Sequence, residues 1–311
     1  MIQLTHVSKL YGRVIGVNDM HCRLPAGPYG LIGPNGSGKT TLINLLTGQL
    51  RPTMGQVRVF GTDPAKHRGV LRRIGLCPAT DVLYPNVTAK DWVRFLVRLH
   101  GFSVQDAHSR SETALERVGL KDSMDRPMGD YSLGMRQRAK LAQAIAHDPE
   151  LLILDEPYNG LDPLGRYEMT ELLKAWTAQG RSLLFAGHVL HEIESITRSF
   201  LLIHGGRLLA SGTADEIDSI VAETPQEVEL IGPDVGRLVS RLAEHPSVSR
   251  LNLRVDTHSL KIGVKDPASL FGRLTTWIAD DGLRIDQFNT ADGDLSAMFA
   301  ALLRRHRGEL S

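Results

Sequence analysis

The stretch Gly33-Pro34-Asn35-Gly36-Ser37-Gly38-Lys39-Thr40 satisfies G-x-x-x-x-G-K-[ST], and each residue type in it answers a need of phosphate binding. Glycines let the backbone close around a chain of phosphates. Successive N–H groups at a helix N-terminus then point inward, where the helix dipole favours anions. Lys39 would reach the β- and γ-phosphates of a nucleoside triphosphate, and the Thr40 hydroxyl would offer a ligand to Mg²⁺. Far along the chain, the apolar run Leu151-Leu152-Ile153-Leu154 ends in Asp155-Glu156-Pro157. Held at a strand end beside the phosphate loop, Asp155 would order Mg²⁺ through water. Glu156 is the better candidate of the two to polarise an attacking water. Taken alone, the same tripeptide also fits a strand-terminating turn.

The elements that must position these groups are legible around them. Tyr29-Gly30-Leu31-Ile32 reads as a strand leading into the loop, and Leu42, Leu45 and Leu46 follow at helical spacing with Pro52 beyond the helix end. The apolar runs at 151–154 and 183–185 read as strands buried on both faces of a parallel sheet. Ligands of such sheets lie at the carboxyl ends of the strands, which is where Asp155, Glu156 and His188 fall. The first 60 residues read as short strands at 2–4, 17–24 and 57–60. Residues 86–130 read as mostly helical, with Thr88 as a cap, a second helix over about 105–118, and Trp92, Phe95, Leu96 and Leu99 on one face expected to pack in the core. Residues 200–204 and 207–210 form an expected hairpin about Gly205-Gly206. Ser132 would cap a helix over 133–147, and a capped helix N-terminus is itself a phosphate site.

Composition sets the frame. The 311 residues are 42% apolar and 23% charged with a net charge of +1, so nothing draws the chain globally to nucleic acid, and none is expected as a partner. Cys22 and Cys77 form no close metal-type pair, which fits buried thiols in a reducing compartment. The N-terminal residues lack the form of a secretory signal, and no run approaches the ~18 apolar residues of a membrane span. Near residue 225 the pattern changes. Strands at 228–231, 251–255, 260–264 and 283–288 alternate with helices at about 235–244, 267–279 and 294–306. They form a compact α+β unit with no motif of its own.

Further stretches decide the kind of nucleotide protein. Tyr131-Ser132-Leu133-Gly134-Met135-Arg136-Gln137 resembles the signature motif of the ATP-binding cassette (ABC) family. The run ending in Asp155-Glu156-Pro157 resembles its second acidic motif, Asn159-Gly160-Leu161-Asp162 the loop that follows, and Gly187-His188 the switch histidine. The separations match too, at 93 residues from Lys39 to Ser132, 23 on to Asp155 and 33 more to His188. The resemblance covers about residues 1–220. It implies an α/β P-loop NTPase of the ABC ATPase type, with a mixed sheet core, an antiparallel β subdomain and a helical subdomain over about 80–148. That domain is expected over 1–222, followed by a C-terminal α+β accessory domain over 223–311.

The resemblance also implies a function: ATP hydrolysis with Mg²⁺, driving separate transmembrane permease subunits from the cytoplasmic face of the cell membrane, with an exporter-type arrangement. Lys39, Glu156 and His188 are then the expected catalytic set, His188 sensing the γ-phosphate. Thr40 and Asp155 are the expected metal ligands. Gly33, Pro34, Asn35, Gly36, Ser37, Gly38, Lys39, Thr40 and Thr41 hold the nucleotide, with Tyr11 stacked on adenine. Ser132, Gly134 and Asp162 complete the nucleotide set. In the family the signature serves the neighbouring subunit's site, so one loop and one signature per chain imply a homodimer or heterodimer.

The pattern breaks at Ala79, in Ile74-Gly75-Leu76-Cys77-Pro78-Ala79-Thr80-Asp81, where the family usually carries a Mg²⁺-coordinating glutamine. Ala79 cannot ligate a cation; Thr80 or Asp81 could substitute, or water could fill the position beside Thr40 and Asp155. The signature also has Leu133 where glycine is commoner. A soluble non-transport ABC ATPase, or a regulatory subunit that binds ATP without turnover, stands as the alternative function. A zinc reading of His188, His191 and Glu192 lacks a further ligand motif.

Overall fold

The computed structural model describes residues 1–80, 84–213, 216 and 226–290, and the chain divides into two compact units, Met1–Thr213 and Ala214–Ser311. The expected boundary at 222–223 lies outside the described residues. The first unit contains β1 (Ile2–Tyr11), β2 (Val14–Leu24), β3 (Pro28–Ile32), α1 (Lys39–Leu46), β4 (Met54–Val59), β5 (Ile74–Cys77), α2 (Ala89–Leu99) and α3 (Val104–Arg117). It continues with α4 (Leu133–Ile145), β6 (Leu151–Asp155), α5 (Pro163–Ala178), β7 (Ser182–Gly187), α6 (Leu190–Glu194), β8 (Ser199–His204) and β9 (Arg207–Thr213).

Its main sheet has the order β5-β6-β7-β3-β8-β9, parallel except for β9, which closes the edge as an antiparallel hairpin with β8. Every residue of β6 and β7 is buried, as expected of strands covered on both faces. A second, antiparallel sheet has the order β2-β1-β4. Helix α1 lies between the two sheets, and Leu42 and Leu46 join Val7, Val17, Val57, Ile153 and Leu184 in one core. Helices α2, α3 and α4 pack on one another beside β5. Each of the longer helices beyond α1 in this unit starts with a side-chain cap. Thr88 accepts from the Asp91 amide, Ser103 from Asp106, Ser132 from Met135 and Asp162 from Gly165, each worth about 1 kcal/mol.

Helix α2 departs from the sequence expectation. Its core-facing stripe is Ala89, Val93 and Val97, whereas Phe95 is 53% and Leu99 66% exposed and Trp92 is half-buried. The helix carries two apolar faces, and the smaller one fits against α3 and α4. Tyr84 and Trp92 pack at 5.1 Å, and Trp92 and Phe95 at 6.2 Å between ring centroids, on the open side.

The second unit comprises β10 (Gln226–Ile231), α7 (Val239–Ala243), β11 (Val248–Arg254), β12 (Ser259–Val264), α8 (Pro267–Asp280) and β13 (Gln287–Thr290). The all-antiparallel sheet has the order β11-β12-β10-β13, a ferredoxin-like βαββαβ arrangement. Val228, Leu230, Leu260, Ile262 and Val264 pack against Leu238, Leu242, Leu270 and Leu274. Two expectations shift here. The helix at 235–244 is a 3₁₀ turn over Val235–Leu238 followed by α7. The strand expected from Leu283 starts at Gln287, because Leu283 belongs to the end of α8. Gly282 adopts φ 58°, and the amides of Gly282 and Leu283 bond to the carbonyls of Ala279 and Ile278 at 3.3 and 3.0 Å. That is a Schellman ending, with Leu283 as its apolar contact. The helix expected at 294–306 lies outside the described residues.

Behind the sheet, His147 follows α4 and His100 follows α2. Their rings stack at 3.8 Å and 9°. His147 Nε2 lies 3.0 Å from the Ile74 carbonyl and is its donor, since a carbonyl only accepts. Burial, with His100 adding to it, pulls the His147 imidazole down to about 4 from its ordinary 6.5. Burial also lowers His100, helped by the charge of Arg72. Between pH 6.5 and 4 the unfolded chain therefore binds the His147 proton that the folded chain refuses, and stability falls as pH falls through that window. His147→Phe should flatten the loss by about 3 kcal/mol, read from urea unfolding of variant and parent at pH 7 and at pH 4.

Candidate functional site

Three neighbouring strands of the main sheet end at one place. β7 lies between β6 and β3, pairing Asp155 with Ala186 on one side and Ile32 with Gly187 on the other. The phosphate loop leaves β3, Asp155 and Glu156 end β6, and His188 follows β7.

The loop's glycines have separate physical reasons. A Cβ at Gly33 would lie 2.3 Å from the Ile203 carbonyl oxygen and 2.5 Å from Ser37 Oγ. Gly38 has φ 106°, and a Cβ there would come within 2.3 Å of the Gly16 carbonyl oxygen. Helix α1 has no side-chain cap, so its first amides are not taken by a capping side chain, the arrangement that suits phosphate oxygens. Ser37 is buried, and its hydroxyl has no hydrogen-bond partner.

Lys39 is 6% exposed. Its Nζ donates to the Gly33 carbonyl at 2.7 Å and to that of Pro34 at 3.3 Å. The same ammonium lies 3.3 Å from Glu156 Oε1, an ion pair outside hydrogen-bond geometry, which leaves Oε1 buried with no hydrogen bond. Glu156 Oε2 lies 2.8 Å from His188 Nδ1. Glu156 also has φ 51°, a left-handed conformation that costs a non-glycine residue about 1–2 kcal/mol. Its amide bonds to the Ala186 carbonyl at 2.9 Å, which aids in holding that conformation. Thr40 Oγ1 donates to Asp155 Oδ2 at 2.8 Å. Burial raises the Asp155 carboxyl, and the Thr40 hydrogen bond opposes the rise. Asp155 Oδ1 is buried with no hydrogen bond. A hydroxyl, a carboxylate and a spare buried carboxylate oxygen form the hard-oxygen donor set that suits Mg²⁺.

The structure thus brings Lys39, Thr40, Asp155, Glu156 and His188 together. Tyr11, in the antiparallel sheet, is 45% exposed and reaches the edge of the site. A Cβ at Gly16 would lie 2.8 Å from its ring and 3.0 Å from the Thr41 side chain. Among the described residues no hydrogen bond joins the side chains of Ser132 or Asp162 to the Lys39 cluster; their hydrogen bonds serve their own helix starts. Leu133 lies over Gly160, where a Cβ would come 2.2 Å from Leu133 Cδ2.

Two supports were not foreseen from the sequence. The hairpin turn between β8 and β9 braces the loop, with the Gly206 amide donating to the Ser37 carbonyl at 2.9 Å. Gly16 lets β2 approach Gly38, Thr41 and Tyr11. Both act through backbone shape, and the only trace they leave in the sequence is a glycine.

The ABC transporter family model matches residues 17–159. The chain is 34% identical over 279 residues to the Nod factor export ATP-binding protein I of Burkholderia lata, covering 88% of this chain and 89% of that one. The chain belongs to the ABC transporter family as an ATPase subunit. It is also 32% identical to the bacitracin transport ATP-binding protein BcrA of Bacillus licheniformis, over 97% of each chain. A solved ATP-binding subunit of an ABC transporter superposes with TM-score 0.65 at 28% identity, covering 70% of this chain and 92% of that one. A dimeric bacterial ABC transporter cassette at 22% identity shares the fold, with TM-score 0.64 over 68% of this chain and 98% of that one.

For this ABC ATPase, Gly38→Ala should combine a strained positive φ with a backbone clash at Gly16. ATP affinity, read by fluorescent-nucleotide titration, is expected to fall by more than about tenfold. Unchanged affinity would remove the loop from the binding site.

Proposed function

We propose that this ATPase subunit works as one of a pair at the cytoplasmic face of a membrane, where hydrolysis drives export through separate permease subunits. The observation that carries the reading is the Lys39–Glu156–His188 chain, with contacts of 3.3 and 2.8 Å on the two oxygens of one carboxylate. His188 holds Glu156 by Oε2, which leaves Oε1 to accept the proton of the attacking water. Lys39 carries its charge toward the β- and γ-phosphates from the loop, and the amides at the start of α1 hold the phosphate oxygens. Thr40 and Asp155 would hold Mg²⁺, whose charge offsets that of the phosphates. Tyr11 offers its ring to the adenine.

The pairing rests on Ser132. Its side chain caps its own helix and makes no hydrogen bond to the Lys39 cluster of its own chain among the described residues, so a second copy would present this helix start to the phosphates. Leu133, Leu164 and Tyr167 are exposed at 48%, 64% and 64% and supply apolar surface around the two capped helix starts. Among the described residues no helix is long and apolar enough to cross a membrane. The open aromatic face of Tyr84, Trp92 and Phe95, with Leu99, suits a permease loop. Relatives named for export of Nod factor and transport of bacitracin support export as the direction. The accessory domain over 223–311 would act on pairing or regulation.

Glu156→Gln should keep ATP binding but cut steady phosphate release by about 10²–10⁴-fold. With ATP present it should sediment as a pair. Full turnover in this variant would overturn the assignment of Glu156. A variant that binds ATP and loses turnover yet shows no ATP-dependent pairing would overturn the reading as a two-copy machine.

A further inference from the structure

Lys140 is 2% exposed and among the largest fully buried side chains of the chain. A lysine is seldom taken out of water without a task, because its desolvation costs more than packing returns. It projects from α4, the helix that Ser132 caps, and its Nζ donates to the Ala79 carbonyl at 3.3 Å.

That contact belongs to a seam along which α4 and the chain just after it face β5. His147 donates to the Ile74 carbonyl at 3.0 Å. Gly75 admits the α4 backbone, since a Cβ there would lie 2.1 Å from the Ala144 carbonyl oxygen. Gln137 Nε2 sits 3.8 Å from Cys77 Sγ, and Lys140 closes the seam at Ala79. β5 pairs with β6 so that Cys77 stands beside Leu154, and the chain leaves β5 next to Asp155. Ala79 is itself exposed and contributes only a methyl group. The grip on this segment therefore includes a side chain of the helix. The Lys140 charge also bears on Asp155 and on Cys77, opposing the effect of burial on both.

We infer that Lys140 is a positioning residue for ATP hydrolysis: it ties the segment after β5 to the signature helix through the Ala79 carbonyl and so fixes the chain beside Asp155. Movement of α4 is then transmitted to the segment beside the metal ligands by a buried ammonium, at the position where this chain lacks a polar side chain. The inference rests on the assignment of Asp155 and Glu156 to the catalytic site. Loss of turnover in Glu156→Gln checks that assignment separately.

Lys140→Met keeps the length and packing of the side chain and removes its donor and charge. Removing one member of a buried set of charges can itself cost stability, so turnover of parent and variant is read well below the melting temperature of either. Turnover should nevertheless drop by about ten- to a hundredfold through kcat, with KM for ATP unchanged. In a Cys22→Ser background without nucleotide, Cys77 should react with iodoacetamide at least about tenfold faster in Lys140→Met than in the parent, as the segment above it opens. Lys140→Arg, which keeps a charged donor, should recover most of the kcat and the Cys77 protection. Unchanged kcat and unchanged Cys77 labelling in Lys140→Met would overturn the inference. So would a loss of turnover no greater than the fraction of Lys140→Met that is unfolded at the assay temperature, since Lys140 would then serve only stability.

Discussion

The hydrogen bond from Thr40 to Asp155 spans 2.8 Å between two segments that are not neighbours in the sheet. Thr40 follows β3 and Asp155 ends β6, with β7 between them. The bond forms only if all three strands end level, and the register provides this by setting Asp155 beside Ala186 and Ile32 beside Gly187. With the ends level, Glu156 comes between Lys39 and His188. Topology alone thus assembles five side chains drawn from three stretches of chain, at the carboxyl ends of parallel strands where ligands of such sheets bind.

Around that junction the protein accepts local cost. Glu156 is held in a left-handed conformation, and the buried oxygens Asp155 Oδ1, Glu156 Oε1 and Ser37 Oγ make no hydrogen bond. Strained and under-satisfied groups gather where chemistry requires them and are supported by the rest of the fold. Here the support is the fully buried strands β6 and β7 and the Gly206 contact beneath Ser37.

What the sequence revealed and what it concealed have different physical origins. The loop, the carboxylates at the end of β6 and the strand-helix order were legible because they are written in residue type and period. Thr88 and Ser132 announced helix starts by their side-chain oxygens, whereas the cap that Asp162 gives α5 was not read from the sequence. The face of α2 was misjudged because Trp92, Phe95 and Leu99 obey the same helical spacing as Val93 and Val97, and only the packing of α3 and α4 selects between them. Leu283 reads as the start of a strand, yet it closes the end of α8 through a glycine in the left-handed region. Gly16, Gly75 and Gly206 are close-approach positions whose partners lie far away in sequence. Lys140 is buried only because β5 lies against α4, a neighbour that the sequence around it does not announce.

The central claim is a shared site in which Ser132 of one copy completes the phosphate loop of another, and mixing two crippled chains tests it directly. Lys39→Ala and Ser132→Arg should each be nearly inactive alone, because every site of either pair lacks one component. Mixed in equal amounts, they form pairs with one intact site, and ATP turnover should recover to about a quarter of the parent's, since half the pairs are mixed and each has one of its two sites whole. No recovery on mixing, or full turnover by Ser132→Arg alone, would contradict the shared site.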